Sequence, residues 1–214
     1  MIPLRDTIPS RRAPIVNHLL IAANIGVFLY ELSLGSRMER FLFTYGLVPR
    51  AISPRTVLTS MFLHGSWFHV LANMLYLWIF GDNVEDRLGH LRYVLFYLLC
   101  GTAAAIAQTL TNPHSTVPMV GASGAIAGVT GAYLCFFPRA RIVTLVPVLF
   151  FIQVVEVPAV FFLLFWFAMQ LAAGLEALGV RESLGGVAFW AHVGGFVAGV
   201  VLGPLLARRR RLVG

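Results

Sequence analysis

Three short stretches of this chain carry side chains that an apolar setting rarely holds without a purpose. His69 and Asn73 lie four residues apart, with His64 five residues before them. Ser123 sits within Gly121-Ala122-Ser123-Gly124, and His192 stands shortly before Gly195, Gly199 and Gly203. On a helix the four-residue spacing puts His69 and Asn73 on one face. A serine next to a histidine can work as nucleophile and general base, the imidazole taking the hydroxyl proton during attack and passing it to the leaving amine. The oxyanion formed on the way needs donors. An amide N–H, an imidazole N–H and the backbone N–H of a serine at a helix start can all serve. Ser123 and His192 are therefore the candidate nucleophile and base, and His69, Asn73 and the Ser123 backbone N–H the candidate oxyanion donors.

Each of these residues also has a plainer reading. Serine near a helix start is usually a cap, and within a span it usually bonds to its own backbone. A lone histidine in a span is rarer and costs more to bury. His64, His69 and His192 could together ligate a metal, but there is no His-Glu-x-x-His and no Asp, Glu or Cys placed with them. No metal and no cofactor are expected. Residues 121–125 are not the nucleophile elbow of soluble hydrolases, because position 125 is Ala and no strand precedes it. Glu156 and Gln170 border or enter the fifth span and read as interface anchors or helix contacts. Glu85 and Arg87 read as a local ion pair or helix cap.

The elements that must position these groups are set by composition. The 214 residues are 58% hydrophobic and 12% charged, with a mean hydropathy of +0.82, which excludes a disordered chain, a soluble enzyme of ordinary make-up and a disulfide-stapled module. A membrane span needs about 20 apolar residues to cross roughly 30 Å of hydrocarbon. Spans are expected at residues 15–32, 64–80, 91–110, 120–137, 158–173 and 187–206, giving an all-α polytopic bundle of six transmembrane helices. Residues 1–14 form a tail, 15–206 the helical domain and 207–214 a basic tail. The connection 34–63 is aromatic enough to be structured. Residues 142–155, interrupted by Pro147 and Gln153, read as an interfacial or partly buried connection. Cys100 and Cys135 both read as small buried hydrophobes.

Charge sets the orientation. The net charge of +7 is not that of a nucleic-acid binder, since no separate basic domain or exposed Arg–aromatic stripe accompanies it. With both termini inside, the inner segments hold Arg5, Arg11, Arg12, Arg87, Arg92, Arg139, Arg141 and Arg208 to Arg211, and the outer ones Arg37, Arg40, Arg50, Arg55 and Arg181. An even number of spans with a basic inner side is self-consistent. The first apolar run has no small-residue cleavage site and no transit peptide precedes it, so a prokaryotic cell membrane is expected.

In this topology spans two, four and six all run inward, each with its polar group in its first turns. At about 1.5 Å per residue they lie at one depth, roughly 5–15 Å below the outer surface. Gly195, Gly199 and Gly203 make one smooth face, and Gly124, Gly128 and Gly131 another. Such faces let backbones approach closely in lipid, which would set Ser123 beside His192. A solute transporter would instead carry ionisable groups near mid-bilayer and a pseudo-repeat of broken spans, and neither is seen.

The stretches His64-Gly65-Ser66-Trp67-Phe68-His69-Val70-Leu71-Ala72-Asn73, Gly121-Ala122-Ser123-Gly124 and Ala191-His192-Val193-Gly194-Gly195 with Gly199 resemble the rhomboid intramembrane serine proteases, in family order. The resemblance implies a six-helix bundle of rhomboid type with a Ser123–His192 dyad lacking an acidic third member, and an oxyanion site near His69, Asn73 and the Ser123 backbone. It makes His64 structural, and residues 34–63 a loop lying partly in the membrane. Span five and residues 176–186 match the mobile region that admits substrate. The implied substrate is a single-span membrane protein, cut in or beside its membrane segment near the outer face. Two places depart from the pattern. Many members have Trp-Arg where this chain has Arg55-Thr56, so the first loop must be anchored differently. Some carry an aromatic residue four after the nucleophile; here it is Ala127, so His192 must be held by something else. Inactive relatives that bind without cutting usually lack the Ser or the His, and both are present here.

Overall fold

The computed structural model describes residues 1–148, 151–178 and 187–207. Arg181, most of the connection after span five and the run Arg208 to Arg211 lie outside the described residues. The chain is an integral, multi-pass membrane protein with an all-α apolar body. Among the described residues four helices are long and apolar enough to cross a bilayer: α1 (Ile15–Ser33), α6 (His90–Thr111), α8 (Ala159–Ala177) and α9 (Phe189–Leu206). The first connection is structured, folding into the short helices α2 (Met38–Tyr45) and α3 (Pro54–Ser60), the latter opened by a Ser53–Thr56 capping box.

The second apolar stretch runs further than expected. Helix α4 (Trp67–Tyr76) continues through one wide turn at Leu77–Gly81 into α5 (Asp82–Leu88). The polar run from Asp82, read as a connection, stays helical because its neighbours satisfy it. Glu85 accepts from the Val16 and Asn17 backbone N–H groups at 3.0 and 2.7 Å, capping α1 across the bundle, and also bonds His90. The wide turn displaces its carbonyls from helical partners, and the Asn17 amide donates to one of them, Leu77 O, at 2.8 Å. A Cβ on Gly81 would fall on the Asn17 side chain, so this crossing needs glycine.

Helix α7 (Ser123–Phe136) is only 14 residues long, but it is the centre of the fold, with Gly124 to Tyr133 all buried. It packs against α6 and α9 through small residues. Any Cβ on Gly195 or Gly199 would overlap the carbonyl oxygen of Gly124 or Gly128, and one on Gly131 that of Phe196. On the other flank Gly124 and Gly128 meet Ala104 and Cys100 of α6. The outward side of α9 shows Val197, Val201 and Leu205, an apolar stripe suited to lipid. Cys100 is buried as expected, whereas Cys135, near the end of α7, is exposed with its Sγ 3.6 Å from Val200 O.

At the end opposite Ser123 the fold adds a three-stranded antiparallel sheet of β1 (Ile2–Asp6), β2 (Arg141–Val148) and β3 (Phe151–Pro158). The expected partly buried connection is thus a hairpin. Its Ile, Val and Thr residues suit a pleated surface, and Pro147 disfavours a helix there. The first residues of the chain complete the sheet, with Ile2 opposite Leu145 and Asp6 opposite Ile142. The Asp6 carboxylate accepts from Tyr133 Oη and Asn83 Nδ2 at 2.5 and 2.9 Å, tying β1 to α7 and α5.

Candidate active site

Ser123 is the first residue of α7, preceded by Ala122, which offers no side-chain cap. The N–H groups of this first turn therefore have no intrahelical acceptor. Just upstream, Gly121 adopts a φ of +128°, and its N–H donates to Ser60 O at 2.9 Å. A Cβ at Gly121 would strike the His69 ring, and Ser123 Oγ lies on the same side. Glycine here lets the imidazole of His69 come up against the backbone that leads into Ser123. The segment is held in place by Met119, which exchanges two backbone hydrogen bonds with Leu47 of the first connection, at 2.9 and 2.7 Å. A small pocket opens beside Ser123, lined by Met119, Val120, Gly121, Ala188 and Ala191.

His192 lies in the first turn of α9. The α7–α9 glycine contact carries it to Ser123: its Nε2 is 2.8 Å from Ser123 Oγ. Its Nδ1 is 2.7 Å from Gln170 Oε1 on α8, and the Trp166 ring of α8 lies 5.9 Å away, inclined by 37°. The start of α9 is fixed from α6 by Gln108, whose Oε1 accepts from the Ala191 N–H at 3.2 Å. Ser66 caps α4 by accepting from the His69 N–H at 3.2 Å, which sets the pitch of the face bearing His69 and Asn73. Asn73 Nδ2 lies 3.0 Å from His64 Nε2, and the His64 and His69 rings meet edge to face at 5.1 Å. Among the described residues no three His, Cys, Asp or Glu side chains gather as a metal-binding group.

Residues 53–209 match the Rhomboid domain. The chain belongs to the rhomboid family. It is 29% identical to Rhomboid protein 1, mitochondrial, of Saccharomyces cerevisiae over 208 residues, which are 91% of this chain and 56% of the yeast protein. It is 35% identical to RHOMBOID-like protein 2 of Arabidopsis thaliana over 72% of this chain and 42% of the plant protein. It is likewise 35% identical to Rhomboid protease GluP of Bacillus subtilis, over 56% of this chain and 24% of that protein. This rhomboid chain thus spans little more than half the length of the first of these relatives and less of the others.

Several side chains of this rhomboid that position the site carry no sequence pattern of their own. Glu31, fully buried in α1, accepts from the His64 backbone N–H with both carboxylate oxygens, at 3.3 and 3.2 Å, and so pins the entry to α4. Gln108 and Gln170 are single amides in apolar helices. The two departures noted in the sequence find their substitutes. Arg55 donates to Thr44 O at 3.2 Å and lies over the Tyr45 ring, anchoring the first connection. His192 is held by Trp166 and Gln170 of α8, while Ala127 faces α9, where a Cβ added to Gly195 would come into contact with it.

Proposed function

We propose that this chain is an intramembrane serine endopeptidase that cuts single-span membrane proteins within or next to their membrane segment, near the outer face, through the Ser123–His192 dyad. The observation that carries the reading is the 2.8 Å contact between Ser123 Oγ and His192 Nε2, half-buried between α7 and α9. Ser123 Oγ attacks the scissile carbonyl carbon and its proton passes to His192 Nε2. The tetrahedral intermediate collapses as the C–N bond breaks, and the imidazolium gives its proton to the departing amine. Water, deprotonated by the same imidazole, then hydrolyses the acyl-enzyme ester. The Ser123 backbone N–H, His69 and Asn73 supply the oxyanion donors, each worth most in a site that excludes water.

The body crosses a cell membrane six times: α1, the continuous helix 67–88, α6, α7, α8 and α9. Both termini face inside, as the excess of Arg at that end supports. Ser123 and His192 then open toward the outer leaflet, and lipid surrounds the exposed apolar flanks. A substrate helix hides its carbonyls in internal hydrogen bonds, so segments with Gly or Pro near the cut are the better substrates.

The test uses purified protein in liposomes with a fluorescent transmembrane substrate. Ser123→Ala and His192→Ala should each lower cleavage by roughly 10³-fold or more, and a metal chelator should leave wild-type cleavage unchanged. Cleavage that survives Ser123→Ala would sink the assignment.

A further inference from the structure

A histidine can accept a proton from serine only through a ring nitrogen that bears a lone pair. His192 turns Nε2 to Ser123 Oγ, so its proton must reside on Nδ1. A neutral imidazole without a partner prefers the opposite tautomer, with the proton on Nε2, which offers Ser123 a donor and no base. Something must therefore hold the less favoured form. Serine hydrolases with a triad use a carboxylate for this; here Nδ1 meets Gln170 Oε1 at 2.7 Å, and a carbonyl oxygen can only accept.

We propose that Gln170 is the positioning residue that fixes the His192 tautomer, an uncharged third member acting through the base of the Ser123–His192 reading on which this inference rests. The groups facing His192 are His69 from α4, Ser123 from α7, and Trp166 and Gln170 from α8. Among the described residues no carboxylate is ion-paired or hydrogen-bonded to it. An amide suits the place because a carboxylate buried among apolar helices carries a heavy desolvation cost when the imidazole is neutral. An amide costs less to bury and still directs the ring.

Trp166 and Gln170 are four residues apart and so share one face of α8; the ring supports the imidazole plane while the amide sets its rotation. The arrangement places the support on α8, where Ala127 leaves none on α7. One turn beyond Gln170, Gly174 O accepts from Trp190 Nε1 of α9 at 3.1 Å, holding the two helices in the register that the Gln170 contact needs. A shift of α8 away from α9 removes the acceptor from Nδ1, so the base is competent only while α8 is seated.

The experiment compares wild type, Gln170→Leu and Gln170→Glu in nanodiscs. It reads kcat and KM on a transmembrane substrate, the rate of fluorophosphonate labelling at Ser123, and the ¹⁵N spectrum of histidine-labelled protein. Gln170→Leu should lower kcat and the labelling rate roughly 30- to 100-fold with KM within about two-fold, and the His192 signal should move from the Nδ1–H toward the Nε2–H form. Gln170→Glu, which keeps an acceptor at the same reach, should restore activity to within about ten-fold of wild type. A Gln170→Leu protein that labels and cleaves as wild type overturns the proposal, and so does equal loss in the Leu and Glu variants, which marks mere packing. The wild-type spectrum is decisive even if the Leu variant does not fold: His192 in the Nε2–H form rejects the role. Wild type that cleaves without ever labelling at Ser123 overturns the dyad itself, a result distinct from a labelled wild type indifferent to residue 170.

Discussion

The two ends of this bundle are both lined with polar side chains, and they use them differently. At the sheet end Glu85 takes three donors, from Val16, Asn17 and His90. There too Asn17 spends its amide on Leu77 O and accepts from the Tyr93 hydroxyl at 2.9 Å. These groups are spent on holding helices together. At the Ser123 end the bonds run in an open chain: Gln170 to His192, His192 to Ser123, with the first-turn N–H groups of α7 beside the pocket. His64 Nδ1 is buried with no hydrogen-bond partner among the described residues. A closed network fixes a fold, whereas a chain with free donors at one end can lend them to a reacting group.

The comparison breaks if Asn73 proves to be only structural. One of its amide protons faces His64 Nε2, and the proposed mechanism assigns the other to the oxyanion. Asn73→Ala should lower kcat by roughly 10²- to 10³-fold, about 2.7–4 kcal/mol of transition-state stabilisation, with a smaller change in KM. Steady-state cleavage and thermal unfolding on the same preparation check this. A fall in unfolding temperature with kcat per folded molecule intact would move Asn73 to the structural class.

Glu85 should show the opposite profile. Glu85→Ala leaves the Val16 and Asn17 N–H groups of α1 without their acceptor, at a cost of about 2–3 kcal/mol in stability. Turnover per folded molecule should stay within about two-fold of wild type, because no catalytic contact is touched. Unfolding in nanodiscs, paired with active-site labelling to count competent molecules, separates the two effects. Loss of kcat at constant stability would mean that the two ends are coupled through α4 and α5.

What could be read in the sequence follows the same division. Spans declare themselves by apolar length, and Ser123, His69, Asn73 and His192 stand out because polar groups are costly in lipid. The faces that pack are harder to see: Val197, Val201 and Leu205 are as apolar as a core, since lipid is too, so only the glycines mark the inward side of α9. Gln170 looks like any single amide near a membrane boundary until α8 is docked on α9. The hairpin of β2 and β3 is hidden in the sequence for a related reason: a short apolar run has no period that separates a buried strand from a helix. The pairing of β1 with β2, across more than 130 residues of chain, leaves no local pattern in either strand.

The smallest expected effect belongs to Asp6, on the sheet side. Burial lifts its carboxyl from the ordinary 3.8 to about 6; the Tyr133 hydroxyl bond opposes that and the nearby Asp82 adds to it. A carboxyl that holds its proton more tightly in the folded state than in the unfolded one stabilises the fold fully below pH 3.8. It loses that contribution as pH rises through about 6. The unfolding temperature of wild type should therefore fall relative to Asp6→Asn across this window, by only a few degrees because solvent screens this half-buried carboxyl, and run parallel to it above. Other carboxyls titrate in the same range, so the informative quantity is the difference between the two proteins at each pH and not the slope of either. Cleavage by Asp6→Asn should follow wild type throughout, since the strand it anchors lies at the far end of α7 from Ser123. A difference curve that is flat from pH 4 to 7 would show that the Tyr133 and Asn83 bonds already cancel the cost of burial, making Asp6 as fully satisfied as Glu85.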